Sequence, residues 1–255
     1  WSSDVCSSDL ISITLFSILT CILVFLTIFQ SQKNNVEVFS KVEVEGNLML
    51  TERDYLLMTG LDNVAISRQL SLRLIKEKFE NHPYVESVKL ELNADKSVTV
   101  QVDEKKIFAL LNYDGKNYLV TNSYEILNIE NNSLMIDYPV ITNATLEEIK
   151  INQSVKSEEL KISKKIVYTS KNINSDFANN LSEINLRNGN EIIIYLSGLK
   201  PVILLGKNDE VKKIYVLYEL LKSTENYTSM IKTSDYIDLR YSESLFIGNN
   251  QLTGI

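Results

Sequence analysis

The chain has 255 residues, 44% hydrophobic and 23% charged, an ordinary balance for a globular protein. Its net charge of -7 argues against a sequence-independent nucleic-acid binder, which needs Lys and Arg to offset phosphates. The two cysteines, Cys6 and Cys21, both lie ahead of residue 30, so the rest of the chain offers no disulfide framework, CxxC zinc site or thiol nucleophile.

Residues 10–29 contain no charge, proline or glycine. A helix of about 20 such residues spans the roughly 30 Å hydrocarbon core of a bilayer. Its polar members (Ser12, Thr14, Ser17, Thr20, Cys21, Thr27) are small, and the Ser and Thr hydroxyls can bond back to the helix backbone. The run exceeds the roughly 7–15 residues of a signal-peptide core, and Gln30-Ser31-Gln32-Lys33 offers no small-x-small cleavage site. It reads as an uncleaved single-pass anchor. Residues 1–9 lack Met, Lys and Arg and read as a non-native scar, so flanking charge does not set the sidedness.

Residues 36–45 alternate, with Val36, Val38, Val42 and Val44 on one face and charged side chains on the other, as in a half-buried strand. Gly46-Asn47 ends it. Thr51 precedes Glu52 and Asp54, an N-cap with acids in the first turn of a helix that stops at Gly60. A second helix is expected from Ser67, burying Leu70, Leu74, Ile75 and Phe79 and ending before Pro83. Val88, Leu90 and Leu92 then alternate with Ser87, Lys89 and Glu91. Residues 93–96 form a turn, and Val98, Val100 and Val102 alternate again, making a hairpin. The order is strand, helix, helix, strand, strand.

Short apolar segments at 107–111, 118–121 and 125–129, separated by Asp114-Gly115 and Asn122-Ser123, predict a meander. Residues 143–157 are polar loop, and 157–170 favour a helix. Apolar runs at 191–197 and 201–206 form a second hairpin. Asn208 or Asp209 can cap a following helix whose buried stripe is Val211, Ile214, Tyr215, Tyr218 and Leu221. Residues 236–241 and 244–247 complete the sheet.

Little here points to catalysis. The single histidine, His82, sits between Asn81 and Pro83 at a helix end, a place for a turn cap rather than a base. Asp103 and Glu104 are strand neighbours and point to opposite faces. Gly198, Gly206 and Gly248 are isolated turn glycines, not a phosphate loop, and clustered metal ligands are absent. No enzyme activity, cofactor or metal is expected. Thirteen tyrosines against one tryptophan favour binding, because Tyr combines an apolar face with a hydroxyl. Tyr215 and Tyr218 read as helix core. Tyr241 lies beside Arg240 on the second-last strand, near the C-terminus, where edge strands are common.

The ordered set resembles the FtsQ/DivIB family of bacterial division proteins. Val42-Glu-Val-Glu-Gly46 and His82-Pro-Tyr-Val-Glu-Ser-Val-Lys-Leu90 are similar to its POTRA domain. Ser234-Asp-Tyr-Ile-Asp-Leu-Arg-Tyr241 is similar to its closing strand motif, and Asn188-Gly189 ahead of an apolar strand also fits. The resemblance implies an α+β protein: a single N-terminal transmembrane helix (10–29), a POTRA domain of β-α-α-β-β order (36–105), a mainly antiparallel β domain with a packed C-terminal helix (106–248), and a tail (249–255). It implies a non-enzymatic scaffold in the bacterial cytoplasmic membrane at the division septum, with the bulk of the chain extracytoplasmic. The implied partners are FtsB-like (or DivIC-like) and FtsL-like single-pass coiled-coil proteins, joined by β-strand addition and linked to septal wall synthesis. Arg240 would pair with a partner carboxylate and Tyr241 would flank the added strand, with Glu243, Ser244, Leu245 and Ile247 completing the surface. Glu243 stands where relatives carry a small residue, and the basic residue they place ahead of the Asn-Gly turn stands as Asn180 or a neighbour. A second, recruitment surface falls on Ser87, Leu90 and Leu92, although the two leucines read as core from alternation alone. The rival reading is a POTRA-type chaperone of an envelope secretion system, which usually carries several POTRA copies and a barrel.

Overall fold

The computed structural model describes residues 7–33, 39–63, 70–130, 137–187, 191–223 and 228–249. They form two units that divide between Asp103 and Glu104.

The first unit opens with helix α1 (Ser7–Lys33) of 27 residues. Thr20 and Thr27 donate their hydroxyls to the carbonyls of Ser17 and Val24, both at 2.8 Å, as the sequence leads one to expect. Among the described residues no helix is long and apolar enough to cross a membrane. The side-chain surroundings of α1 are described over 13–27, a shorter stretch than the roughly 20 residues a bilayer core needs.

Strand β1 (Lys41–Glu45), helices α2 (Glu52–Thr59) and α3 (Leu72–Glu80), and strands β2 (Val85–Leu92) and β3 (Ser97–Glu104) follow. The sheet order is β1-β3-β2, with β1 parallel to β3. Thr51 closes a capping box with Asp54 at the head of α2, and Gly60 ends that helix at φ 67°. Helix α3 begins at Leu72 with Ser71 as its cap, so Leu70 precedes it; the expected start at Ser67 lies outside the described residues. Ile75 and Phe79 are buried, but Leu74 is exposed. His82 accepts the Tyr84 N–H on Nδ1 at 3.2 Å, and its ring lies 5.0 Å from Tyr55 and 5.6 Å from Tyr84. It is a turn acceptor and a core filler. On β2 the buried residues are Val85 and Val88; Leu90 is half-buried and Leu92 is 45% exposed, so neither leucine is the core residue that alternation suggests.

Among the described residues the second unit holds one nine-stranded sheet. Its strands are β4 (Ile107–Tyr113), β5 (Lys116–Thr121), β6 (Ile126–Leu127), β7 (Val140–Thr142), β8 (Leu181–Asn185), β9 (Ile193–Leu196), β10 (Val202–Leu204), β11 (Tyr236–Asp238) and β12 (Phe246–Gly248). The order is β12-β11-β10-β9-β8-β7-β4-β5-β6. Five pairings are antiparallel and three (β4/β7, β7/β8, β10/β11) are parallel, so the sheet is mixed rather than simply antiparallel. Parallel neighbours need a crossover. Helices α4 (Glu158–Ile173) and α5 (Ser175–Asn179) make the one from β7 to β8. Helices α6 (Glu210–Lys222) and α7 (Thr228–Thr233) make the one from β10 to β11. Leu111, Ile141, Ile184, Ile194, Ile203 and Ile237 share one core with Leu160 and Ile166 of α4 and Ile214 and Leu217 of α6.

Two expectations for α6 fail. Val211 and Tyr215 are exposed, at 43% and 50%, while Leu217 takes a core position. Tyr218 does pack inward, edge-on to Phe177 at 5.5 Å. Asp209 precedes the helix in a left-handed conformation (φ 53°) and makes no side-chain cap.

Gly46 ends β1 at φ 80°, and a Cβ there would collide with the Val102 carbonyl oxygen on β3. Both the backbone conformation and the space require glycine. Gly46→Ala is expected to lower stability by about 2 kcal/mol, read by denaturant titration of the full chain.

Candidate docking edge

Strand β12 ends the nine-stranded sheet, and its register with β11 pairs Tyr236 with Gly248, Ile237 with Ile247 and Asp238 with Phe246. Two bonds to β10 fix which groups face outward. Val202 N–H donates to the Asp235 carbonyl at 3.0 Å, and Leu239 N–H donates to the Leu204 carbonyl at 2.9 Å. The odd-numbered residues of β11 therefore face β10. Tyr236 and Asp238 face β12, where they meet Gly248 and Phe246. Successive residues alternate sides, so the N–H and C=O of Ile247 point away from β11. Among the described residues no further strand covers that side. The opposite sheet edge is different: Ile126 on β6 receives the Asn152 N–H at 2.8 Å and donates to Gln153 at 3.1 Å.

Tyr236 lies across Gly248, where a Cβ would come 2.5 Å from its hydroxyl oxygen. Glycine lets the edge strand lie flat beneath that ring. On the same face Phe246 stacks edge-on against Tyr241 at 5.3 Å, and both rings are at least half exposed.

Arg240 holds the exit of β11. Its Nε and Nη2 grip the Asp238 carboxylate at 2.9 and 2.6 Å, and Nη1 reaches Glu191 at 3.0 Å. Arg240, expected to pair with a partner's carboxylate, also holds two acids of its own chain, and its side chain remains 37% exposed. Burial alone would raise the Asp238 pKa, but the hydrogen bonds and charge of Arg240, with Lys213 nearby, hold it below the usual carboxylate range. The same two acids push the Arg240 guanidinium upward. Its stem passes Gly206, where a Cβ would stand 2.8 Å from the Arg240 Cγ and φ is 68°.

Two basic residues of this cluster are not singled out by sequence reasoning. Lys213 is buried and donates to the carbonyls of Leu205 (2.9 Å) and Lys207 (3.0 Å), tying α6 to the loop after β10. Arg187 stands immediately before Asn188-Gly189 and approaches Glu191 at 3.6 Å. Its position ahead of that dipeptide is the clue that finds it. Asn180 instead ends α5, and its carbonyl accepts the Ser197 N–H. Residues 188–190 lie outside the described residues.

Tyr241, Glu243, Ser244 and Leu245 line a cleft of about 210 Å³ against Lys212, Lys213 and Val216 of α6. The structure therefore brings four of the six expected residues to one cleft and puts Ile247 on the neighbouring edge. Tyr241 and Ser244 sit in the connection between strands rather than on them, because β11 ends at Asp238 and β12 begins at Phe246. Ser87, Leu90 and Leu92 lie in the other unit, on the outermost strand of its sheet. Among the described residues no group of three or more His, Cys, Asp or Glu is placed to hold a metal ion.

These features define a two-unit α+β protein whose second unit closes one sheet edge with its own loop. The family described as cell division protein FtsQ/DivIB, C-terminal, matches residues 109–240. The cell division protein FtsQ of Geotalea daltonii is 24% identical over 208 residues, 81% of this chain and 74% of that protein. The chain belongs to the FtsQ/DivIB family of cell-division proteins. The family match reaches Arg240 and stops before β12.

Arg240→Met leaves Asp238 and Glu191 without their shared cation. The expected loss is about 2 kcal/mol, below that of a fully buried pair because Arg240 is 37% exposed. Asp238 has a depressed folded pKa, so its contribution is complete above the ordinary carboxylate value of about 4 and is lost as pH falls through the folded value. The gap between wild type and Arg240→Met is thus expected to narrow below about pH 4 in denaturant titrations.

Proposed function

We propose that this chain is a non-enzymatic, membrane-anchored division scaffold that takes a strand from an FtsB-like (DivIC-like) coiled-coil partner onto β12. That partner is paired with an FtsL-like protein, and the complex is coupled to septal wall synthesis. The observation that carries this reading is the outward-facing Ile247 amide and carbonyl on a terminal strand. An added strand takes affinity from the main chain and specificity from side-chain pockets. The cleft beside Tyr241 is such a pocket. Family membership supports a role in cell division.

In this reading helix α1 lies in the cytoplasmic membrane, with the two units on its outer side. The support is a 27-residue helix whose apolar side chains, among them Ile13, Phe16 and Phe25, are exposed at 67–69%. The first unit acts as the POTRA module. Ser87 and Leu92 on its outermost strand, with half-buried Leu90 between them, form the recruitment surface.

Ile247→Pro removes an outward donor without taking one from the β11 ladder, a substitution that edge strands tolerate. The full chain carrying Ile247→Pro is expected to capture the purified coiled-coil partner about tenfold more weakly, with unchanged circular dichroism. Ile247→Val is expected to bind normally. Undiminished capture by the proline variant would remove β12 from the docking site. A fluorescent fusion of the wild type is expected at mid-cell bands; a uniform envelope signal contradicts the division-site placement.

A further inference from the structure

We propose that Glu243 selects the docked segment by charge, so that the strand added to β12 carries a Lys or Arg just beyond its end beside Phe246. This deepens the strand-addition reading and rests on it.

Three other carboxylates around this rim are occupied, while Asp209 across the cleft is exposed and, like Glu243, makes no ion pair among the described residues. Asp238 and Glu191 are held by Arg240, and Asp235 is held by Lys200 at 2.8 Å. Glu243 is exposed and, among the described residues, makes no ion pair or side-chain hydrogen bond. It stands three residues ahead of Phe246, at the end of the edge where β12 begins. The other end of the edge is beside Asp235, whose N–H reaches the Gly248 carbonyl and whose partner Lys200 is 61% exposed. The open edge therefore carries an unpaired acid at one end and the mutually neutralised Asp235–Lys200 pair at the other.

An extended segment lying along β12 brings its backbone to Ile247 and one of its side chains toward the cleft of Val216, Tyr241 and Leu245. Its next residue past Phe246 arrives at Glu243. A carboxylate there repels an acid and favours a base, which fixes register on a strand too short to fix it by backbone pairing alone. Lys212 lines the same cleft and is the competing internal cation.

Random linear peptides displayed on phage, panned against the full chain, test this. Wild type is expected to enrich Lys or Arg about threefold at one fixed position beside an apolar core, the scale of an exposed charge pair. Glu243→Lys is expected to enrich Asp or Glu at that position instead, and Lys212→Ala to keep the wild-type preference. An unchanged preference in Glu243→Lys, or its disappearance in Lys212→Ala, overturns the role of Glu243. Gly248→Val separates this from the underlying reading, because it forces Tyr236 off the edge strand. Peptides that bind Gly248→Val as well as wild type refute strand addition itself. Peptides that need the intact edge but show no charged position refute the selection by Glu243 alone.

Discussion

The Arg240 guanidinium is the interaction on which the C-terminal end of the sheet depends. Its planar fork takes two oxygens of Asp238 and one of Glu191, and its stem lies in the space that Gly206 leaves open. A lysine could satisfy the charge but not the fork, since an ammonium presents no paired, coplanar donors. The clamp joins the exit of β11 to the entry of β9 and the loop after β10. Lys213 ties that same loop to α6. The connection from Leu239 to Leu245 is therefore anchored at its start, and the cleft beneath it has a fixed floor. A proposed docking edge three residues long needs that support, because its own ladder with β11 is too short to hold a unique geometry.

The two ends of the nine-stranded sheet are treated differently. An unpaired strand edge invites indiscriminate pairing, and proteins blunt such edges by covering, shortening or charging them. Here β6 is covered by residues 151–154 of its own chain. Strand β12 is not covered among the described residues, but it is only three residues long, and Glu243 lies at its head. Shortness limits what any passing chain gains from main-chain bonds alone. In the proposed docking a partner adds side-chain contacts in the cleft to reach useful affinity, so the geometry that discourages aggregation would also confer selectivity.

Local chemistry was the legible part of the sequence. The cap at Thr51, the glycine stop at Gly60 and the Asp114-Gly115 turn all depend on residues within a few positions, and each stands where expected. What depended on distant partners was hidden. Strands β7 and β8 have three and five residues, and they pair in parallel across a helical crossover that separates their partners by 43 positions. Alternation put Leu92 in a core because it counts faces, not the extent of the layer above them. The periodicity of α6 correctly found Ile214 but rotated the stripe toward Tyr215, since nothing local says which side of that helix meets α4. Arg240 illustrates the limit most clearly. Its position was readable, but its partner Glu191 lies 49 residues away, so its internal contacts were not.

Those internal contacts bear on how the proposed interface divides its energy. With Arg240 already shared between Asp238 and Glu191, the proposed docked strand draws most of its affinity from the Ile247 backbone groups, the exposed Tyr241 and Phe246 rings, and the cleft wall at Val216 and Leu245. Aromatic burial and a few main-chain bonds give modest strength. In the proposed reading, an anchor that confines both partners to one membrane compensates by raising their effective concentration, so that a modest interface suffices and remains reversible. Reversibility suits the proposed scaffold role, in which a complex assembles and disperses with each round of division.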